Sequence, residues 1–286
     1  MHLPWLRMNG FPSKISAILV RLRGGYNVQR PRQIPSSLVL LEHHVPVLEK
    51  CRKRGHKDND MTHSQEQLLS VQRRIEKSAL AAGRNKNDVR LIAVSKTIET
   101  DEIEPVLAAG QRVFGENRVQ EAQKKWPQLR TRYADIELHL IGPLQSNKAA
   151  DAVALFDVIK TVDRPKLVSA LSHEMKKQDA KTKLLVQVNT GREVQKAGIL
   201  PEEFEAFMAD SKAQLGDHLI GLMCIPPAED DPRPHFQMLK SMAKSQHLSV
   251  VSMGMSSDFE MAIAEGANWI RVGSAIFGVR PKAIQS

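Results

Sequence analysis

Short apolar runs alternate eight times with longer amphipathic segments between residues 90 and 273, and this alternation restricts the fold more than any other feature of the chain. Strand-type runs read at residues 91–95, 112–114, 137–141, 157–161, 183–189, 219–224, 250–253 and 269–272. Helical spacing reads at 102–109, 116–125, 164–176, 201–215, 234–245 and 258–266. Strands that alternate with helices pair in parallel and cross over right-handedly. Eight such units in 226 residues match the size of a (β/α)8 TIM barrel. An open doubly wound sheet is the alternative, but Ser95-Lys96-Thr97 follows the first strand where that fold's glycine-rich fingerprint would stand. Residues 64–82 add an extra N-terminal helix. Leu68, Leu69, Val71, Ile75, Leu80 and Ala81 form its apolar stripe, and Gly83 its C-cap.

The net charge of +9 invites a nucleic-acid or membrane partner, but its distribution excludes one. Residues 1–60 hold eleven Lys/Arg against four Asp/Glu, which leaves only +2 for the remaining 226 residues. That basic stretch has no acid before Glu42 and carries Ser13, Ser16, Ser36 and Ser37 among its arginines. It reads as a disordered basic leader outside the fold. Its composition suits an organellar transit peptide, and equally an extension ahead of a true start at Met61. The folded domain is expected at residues 61–286. No apolar run approaches the ~20 residues of a membrane span. Cys51 and Cys224 are far apart in unlike contexts, so no disulfide framework or metal spacing follows. A cytoplasmic or mitochondrial location fits both observations.

In a barrel of this kind the chemistry lies at the C-terminal ends of the strands. Lys96 ends the first apolar run, where an amine is poorly hydrated and its neutral, nucleophilic form is favoured. An ordinary surface lysine just past a strand is the plain alternative. Ser256-Ser257-Asp258 after strand seven and Gly273-Ser274 after strand eight offer hydroxyls and backbone N–H groups suited to a phosphate. Taken alone, the first of these is also a simple helix N-cap. Arg271 falls inside the last strand, where an unpaired charge is costly. A pyridine nitrogen or a carboxylate elsewhere in the barrel would answer it. Other rims contribute Glu116-Asn117-Arg118, the run from Gly142 to Lys148, Asn189-Thr190-Gly191 and Cys224-Ile225-Pro226. An amine opposite a phosphate cradle points to a phosphorylated aldehyde, either pyridoxal phosphate or the sugar phosphate of a Schiff-base aldolase.

The ordered segments Ala93-Val94-Ser95-Lys96, Phe114-Gly115-Glu116-Asn117, His139 to Lys148, Gly221-Leu222-Met223, Ser252 to Asp258 and Arg271 to Gly278 resemble the pyridoxal phosphate homeostasis protein family, the YggS/PROSC type. The resemblance covers residues 65–280. It implies the barrel of the alanine racemase N-terminal domain and pyridoxal 5'-phosphate held as a Schiff base on Lys96. It further implies that Arg271 faces the pyridine nitrogen, that Ser256, Gly273 and Ser274 bind the phosphate, and that Asn117 lies near the ring. Residues 189–198 depart from the family's usual serine- and glutamate-rich segment.

A racemase needs a second base on the face opposite the lysine. The chain's two tyrosines do not offer it, since Tyr26 is in the leader and Tyr133 precedes strand three, at the wrong end of the barrel. A cationic arginine at the pyridine nitrogen also weakens the cofactor as an electron sink. With no second domain expected after strand eight, the reading is a monomeric carrier. It binds pyridoxal phosphate reversibly and delivers it to apoenzymes, with no catalytic residue assigned. A one-base racemase or lyase, with Lys96 as both anchor and base, is the alternative. Cys224 reads as a small buried residue, His139 as a hydrogen-bonded core residue, and Met253 and Met255 as barrel packing.

Overall fold

The computed structural model describes residues 61–278, so the leader expected at 1–60 lies outside the described residues. Thr62 starts helix α1 (His63–Ala81) with a capping box. Its hydroxyl accepts the Gln65 N–H while the Gln65 side chain accepts the Thr62 N–H. The buried stripe is Leu68, Val71, Ile75 and Ala79. Leu69 and Leu80, expected in that stripe, are exposed, because each sits one residue past a stripe position and is turned by about 100°.

Eight parallel strands then close into a barrel in chain order. They are β1 (Arg90–Val94), β2 (Val113–Glu116), β3 (Glu137–Leu140) and β4 (Val158–Val162), followed by β5 (Lys183–Val188), β6 (Leu219–Cys224), β7 (Val250–Ser252) and β8 (Trp269–Val272). The barrel is sealed by β1 and β8, with Ile92 beside Arg271 and Ala93 beside Val272. Helices α2 (Thr100–Ala108), α3 (Val119–Arg132), α4 (Ala149–Leu155), α5 (Pro165–Gln178), α6 (Phe204–Leu215), α7 (Pro232–Ser245) and α8 (Phe259–Ala264) return the chain. A final turn, α9 (Ser274–Phe277), follows β8. The expected TIM barrel with an extra N-terminal helix is therefore the observed fold.

Two cores result from the period-2 alternation of the strands. Outward residues such as Phe114, Leu138, Ile159, Leu184, Leu222 and Ile270 meet the helices in one continuous cluster. Val158, Leu185, Met223 and Val250 form a separate cluster inside the barrel.

Three local differences from the sequence reading have simple causes. Helix α3 runs through Pro127 to Arg132 because Trp126 and Leu129 are anchored with no exposure, and that packing outweighs the lost backbone hydrogen bond. Helix α4 has only seven residues, too few to show a period. Glu116 is the last residue of β2 and fully buried, not the start of the next helix.

Candidate functional site

The C-terminal ends of the strands surround a cavity of about 970 Å³. Lys96, Asn117, Ser256, Arg271, Gly273 and Ser274 all line it, so the structure brings together the six residues expected to bind the cofactor. They arrive from four rims. Lys96 follows β1, Asn117 follows β2, Ser256 follows β7, and the other three lie in or just after β8.

Arg271 forms the polar floor. It is 4% exposed, and its Nη1 donates to Ser252 Oγ at 3.0 Å while Nη2 donates to the Cys224 carbonyl at 2.9 Å. Among the described residues no carboxylate lies within ion-pair distance of it, so the internal carboxylate partner considered above is not found. Burial lowers its pKa from the usual guanidinium range, with Cys224 and Asp258 acting weakly in the other direction.

The β7 and β8 rims meet through Ser256, whose Oγ accepts the N–H of Gly273 at 3.2 Å and of Ala275 at 3.4 Å. Asp258 occupies the N-cap position of α8 but makes no cap hydrogen bond; its carboxylate instead accepts the Met255 N–H at 2.6 Å. The simple N-cap reading of this run therefore does not hold. The turn also depends on Gly254 at φ +90°, where a Cβ would lie 2.6 Å from the Ala262 Cβ. On the β2 side, Gly142 lets β3 pass close to Asn117, since a Cβ there would be 2.3 Å from the Asn117 carbonyl oxygen.

Below the floor a buried polar column descends through the barrel. Lys160 Nζ is 3.3 Å from the same Ser252 hydroxyl and 4.7 Å from the Trp269 ring centroid. On Trp269 rests His139, with ring centroids 5.1 Å apart, and His139 Nε2 is 2.6 Å from a Glu137 carboxylate oxygen. Glu137 in turn pairs with Arg90 at the N-terminal end of the barrel. Burial drives Lys160 well below the ordinary lysine range, and the nearby Arg271 charge adds to this. Burial likewise lowers His139 to about 3, again helped by Lys160. His139 therefore reads as neutral at pH 7. His139 is thus the hydrogen-bonded core residue expected.

Several residues are placed differently from the sequence reading. Asn189, expected at the rim, is buried and ties its own loop, accepting the Glu193 N–H at 3.2 Å and donating to the Glu193 carbonyl at 2.8 Å. The cavity wall on that side is Gln187 with Gln195, Lys196 and Ala197. Met255 lines the cavity, whereas Met253 is barrel packing. The inward phase of β5 would have revealed Gln187; no local signal marks Lys196. Cys224 is fully buried and its thiol is pushed up to about 12 by burial, so it is not a nucleophile. Tyr133 caps the end of α3 and stacks with Arg112 at 5.4 Å, just ahead of β2 and away from the cavity mouth. Among the described residues no group of three or more His, Cys, Asp or Glu could hold a metal ion.

The arrangement presents an amine, a hydroxyl at a glycine-containing turn and a fixed guanidinium on one cavity. That donor set fits a flat ligand with an aldehyde, a ring acceptor and a phosphate.

A barrel with this site is the form of the alanine racemase N-terminal domain, whose family model matches residues 68–281. The chain belongs to that family and, within it, to the pyridoxal phosphate homeostasis proteins. The protein of that name from Haemophilus influenzae is 36% identical over 226 residues, covering 76% of this chain and 95% of the relative. The one from Pseudomonas aeruginosa is 40% identical over 223 residues, covering 75% and 95%. Among solved structures, PipY of Synechococcus elongatus with PLP bound is 36% identical with a TM-score of 0.66, covering 75% of this chain and all of that one.

Proposed function

We propose that the protein binds pyridoxal 5'-phosphate in this cavity as a Schiff base on Lys96 and serves to hold the cofactor available, limiting free aldehyde and supplying apoenzymes. The observation that carries the reading is the convergence of Lys96, Arg271 and the Ser256–Gly273–Ser274 cradle on one cavity. The family membership and the PLP-bound relative support it. When bound, the cofactor supplies an aldehyde carbon for the lysine and an electron-withdrawing ring.

The chain's own residues then have distinct tasks. Ser256, whose Oγ accepts the Gly273 and Ala275 N–H groups and keeps its own hydroxyl hydrogen to donate, would hold the phosphate with Gly273 and Ser274 of the β8 turn beside it. Asn117, braced by Gly142, orients the ring edge. Arg271 would face the pyridine nitrogen and, being cationic, would keep that nitrogen unprotonated. A ring left neutral in this way stabilises carbanions poorly, which suits a carrier better than a racemase. Lys196 is the other amine at the cavity, and its Nζ is engaged with Glu193 at 2.5 Å and the Pro226 carbonyl at 3.1 Å.

As further parts of this reading, the folded domain acts as a monomer in the cytoplasm or the mitochondrion, and the recipient partners are PLP-dependent apoenzymes. No helix of the described residues is long and apolar enough to cross a membrane.

The test is exchange of the Cα hydrogen of L- and D-amino acids in deuterated water, with Lys96→Ala as control. The wild type should turn yellow with pyridoxal phosphate and Lys96→Ala should not, while neither exchanges the hydrogen. Fast, stereoselective, Lys96-dependent exchange would replace the carrier with an enzyme.

A further inference from the structure

Lys96 sits in a turn that its own sequence does not favour. The Ile98 N–H donates to the Ser95 carbonyl at 3.1 Å, so residues 95–98 form a four-residue turn with Lys96 at its second position. The third position is Thr97 at φ 58°, in the left-handed region that such turns normally give to glycine. A β-branched residue is disfavoured there. Something outside the turn must hold it.

The holding groups come from the end of β2 and the first turns of α3. Lys125 is 8% exposed, and its Nζ donates to the carbonyls of Ser95 at 2.9 Å and Ile98 at 3.2 Å, the two ends of the turn. The same Nζ lies 2.8 Å from Glu116 and 2.9 Å from Glu121. Glu121 accepts the N–H of Thr97 itself. Glu116 accepts the Ser95 hydroxyl at 2.8 Å and the Trp126 indole N–H at 3.0 Å. Each of residues 95, 97 and 98 is thus gripped, and Lys96 lies between them.

We propose that Lys125, with Glu116 and Glu121, is the positioning device that forces the Lys96 turn into its left-handed conformation and so aims the Lys96 amine at the cofactor aldehyde. This rests on the reading of Lys96 as the attachment point. Burying an amine between two carboxylates is costly and adds little to fold stability compared with apolar packing. Its expense is explained if the network fixes the reactive turn. Burial raises the Glu116 pKa, against the pull of Lys125. Burial acts on Glu121 in the same sense but is outweighed by Lys125 and the Thr97 N–H, so Glu121 is net lowered and stays an acceptor for the turn.

The experiment compares two ligands on the full-length chain. Pyridoxal 5'-phosphate reports covalent attachment through its yellow absorbance, and its pH profile reports the amine. Pyridoxine 5'-phosphate, which has no aldehyde, reports phosphate and ring binding alone. Lys125→Met should weaken attachment by roughly tenfold or more and shift the pH profile, while pyridoxine 5'-phosphate binding changes by less than about twofold. Glu121→Ala, which removes the acceptor of the Thr97 N–H and leaves Lys125 paired with Glu116, should fold and lose roughly threefold or more in attachment. If Lys125→Met does not fold, Glu121→Ala decides by the same readouts. Folded variants with unchanged attachment and pH profile, or with both ligands weakened equally, would overturn the positioning role. A wild type that stays colourless would instead overturn Lys96 as the attachment point.

Discussion

Lys160 and Trp269 meet in the middle of the barrel, with the lysine nitrogen 4.7 Å from the ring centroid and Ser252 Oγ 3.3 Å away. The same hydroxyl accepts from Arg271 at 3.0 Å. Ser252 Oγ thus accepts from Lys160 Nζ and from Arg271 Nη1 together, which brings two cationic side chains onto one hydroxyl. The guanidinium repels a charged Lys160 and so adds to the lowering of its pKa by burial.

Folding stability should therefore rise with alkaline pH. In the fold the Lys160 pKa is driven well below 10.5 by burial, while the unfolded lysine keeps its ordinary value. The unfolded state binds more protons in that window, so stability increases as pH climbs towards the ordinary lysine value. Lys160→Met should be the more stable protein at pH 7, by on the order of 1–2 kcal/mol. Its advantage should shrink at pH 10. Urea unfolding at both pH values measures this, and a pH-independent difference would refute a lowered Lys160 pKa.

Acid should act on His139 in the same sense. The ring stays neutral down to about 3 in the fold but titrates near 6.5 when unfolded. Each unit of pH lost in that interval should cost roughly 1.4 kcal/mol of stability. His139→Leu should flatten this slope. Unfolding curves between pH 6.5 and 4 would show it, and equal slopes for both proteins would exclude His139 as the acid-sensitive group.

Ser256→Ala should weaken pyridoxal 5'-phosphate about five- to tenfold, the loss of one hydrogen bond to a charged group. Pyridoxal, which lacks the phosphate, should bind both proteins alike. Equal weakening of the two ligands would place Ser256 away from the phosphate.

Gly142→Ala tests the brace behind Asn117. Its Cβ would sit 2.3 Å from a backbone oxygen and 2.7 Å from a Cα, neither of which can swing aside. A stability loss of about 1–3 kcal/mol is expected, with weaker cofactor binding as Asn117 shifts. Thermal unfolding and a cofactor titration check both parts, and a variant indistinguishable from the wild type would show that the rims are pliable.

The barrel was legible in the sequence because its strands are apolar and separated by amphipathic helices of ordinary length. The site was legible where its residues end a strand, as Lys96, Asn117, Ser256 and Gly273 do. Other parts arise only from tertiary packing. Lys125 looks like any solvated helix lysine until α3 lays it against carbonyls 27 and 30 residues earlier in the chain. Lys160 lies in an apolar run, and its inward direction depends on the strand phase. Asn189 was misplaced because the loop after β5 turns back to satisfy its own backbone instead of facing the cavity.

The pairing of β1 with β8 has a consequence for biosynthesis. Lys96 and the Gly273 cradle lie some 180 residues apart in the chain, yet they are neighbours only across that seam. A nascent chain that has not yet released β8 carries the amine without the cradle. Capture of the cofactor therefore waits until the ring of strands has shut, and an incompletely made barrel offers no pocket in which to trap it.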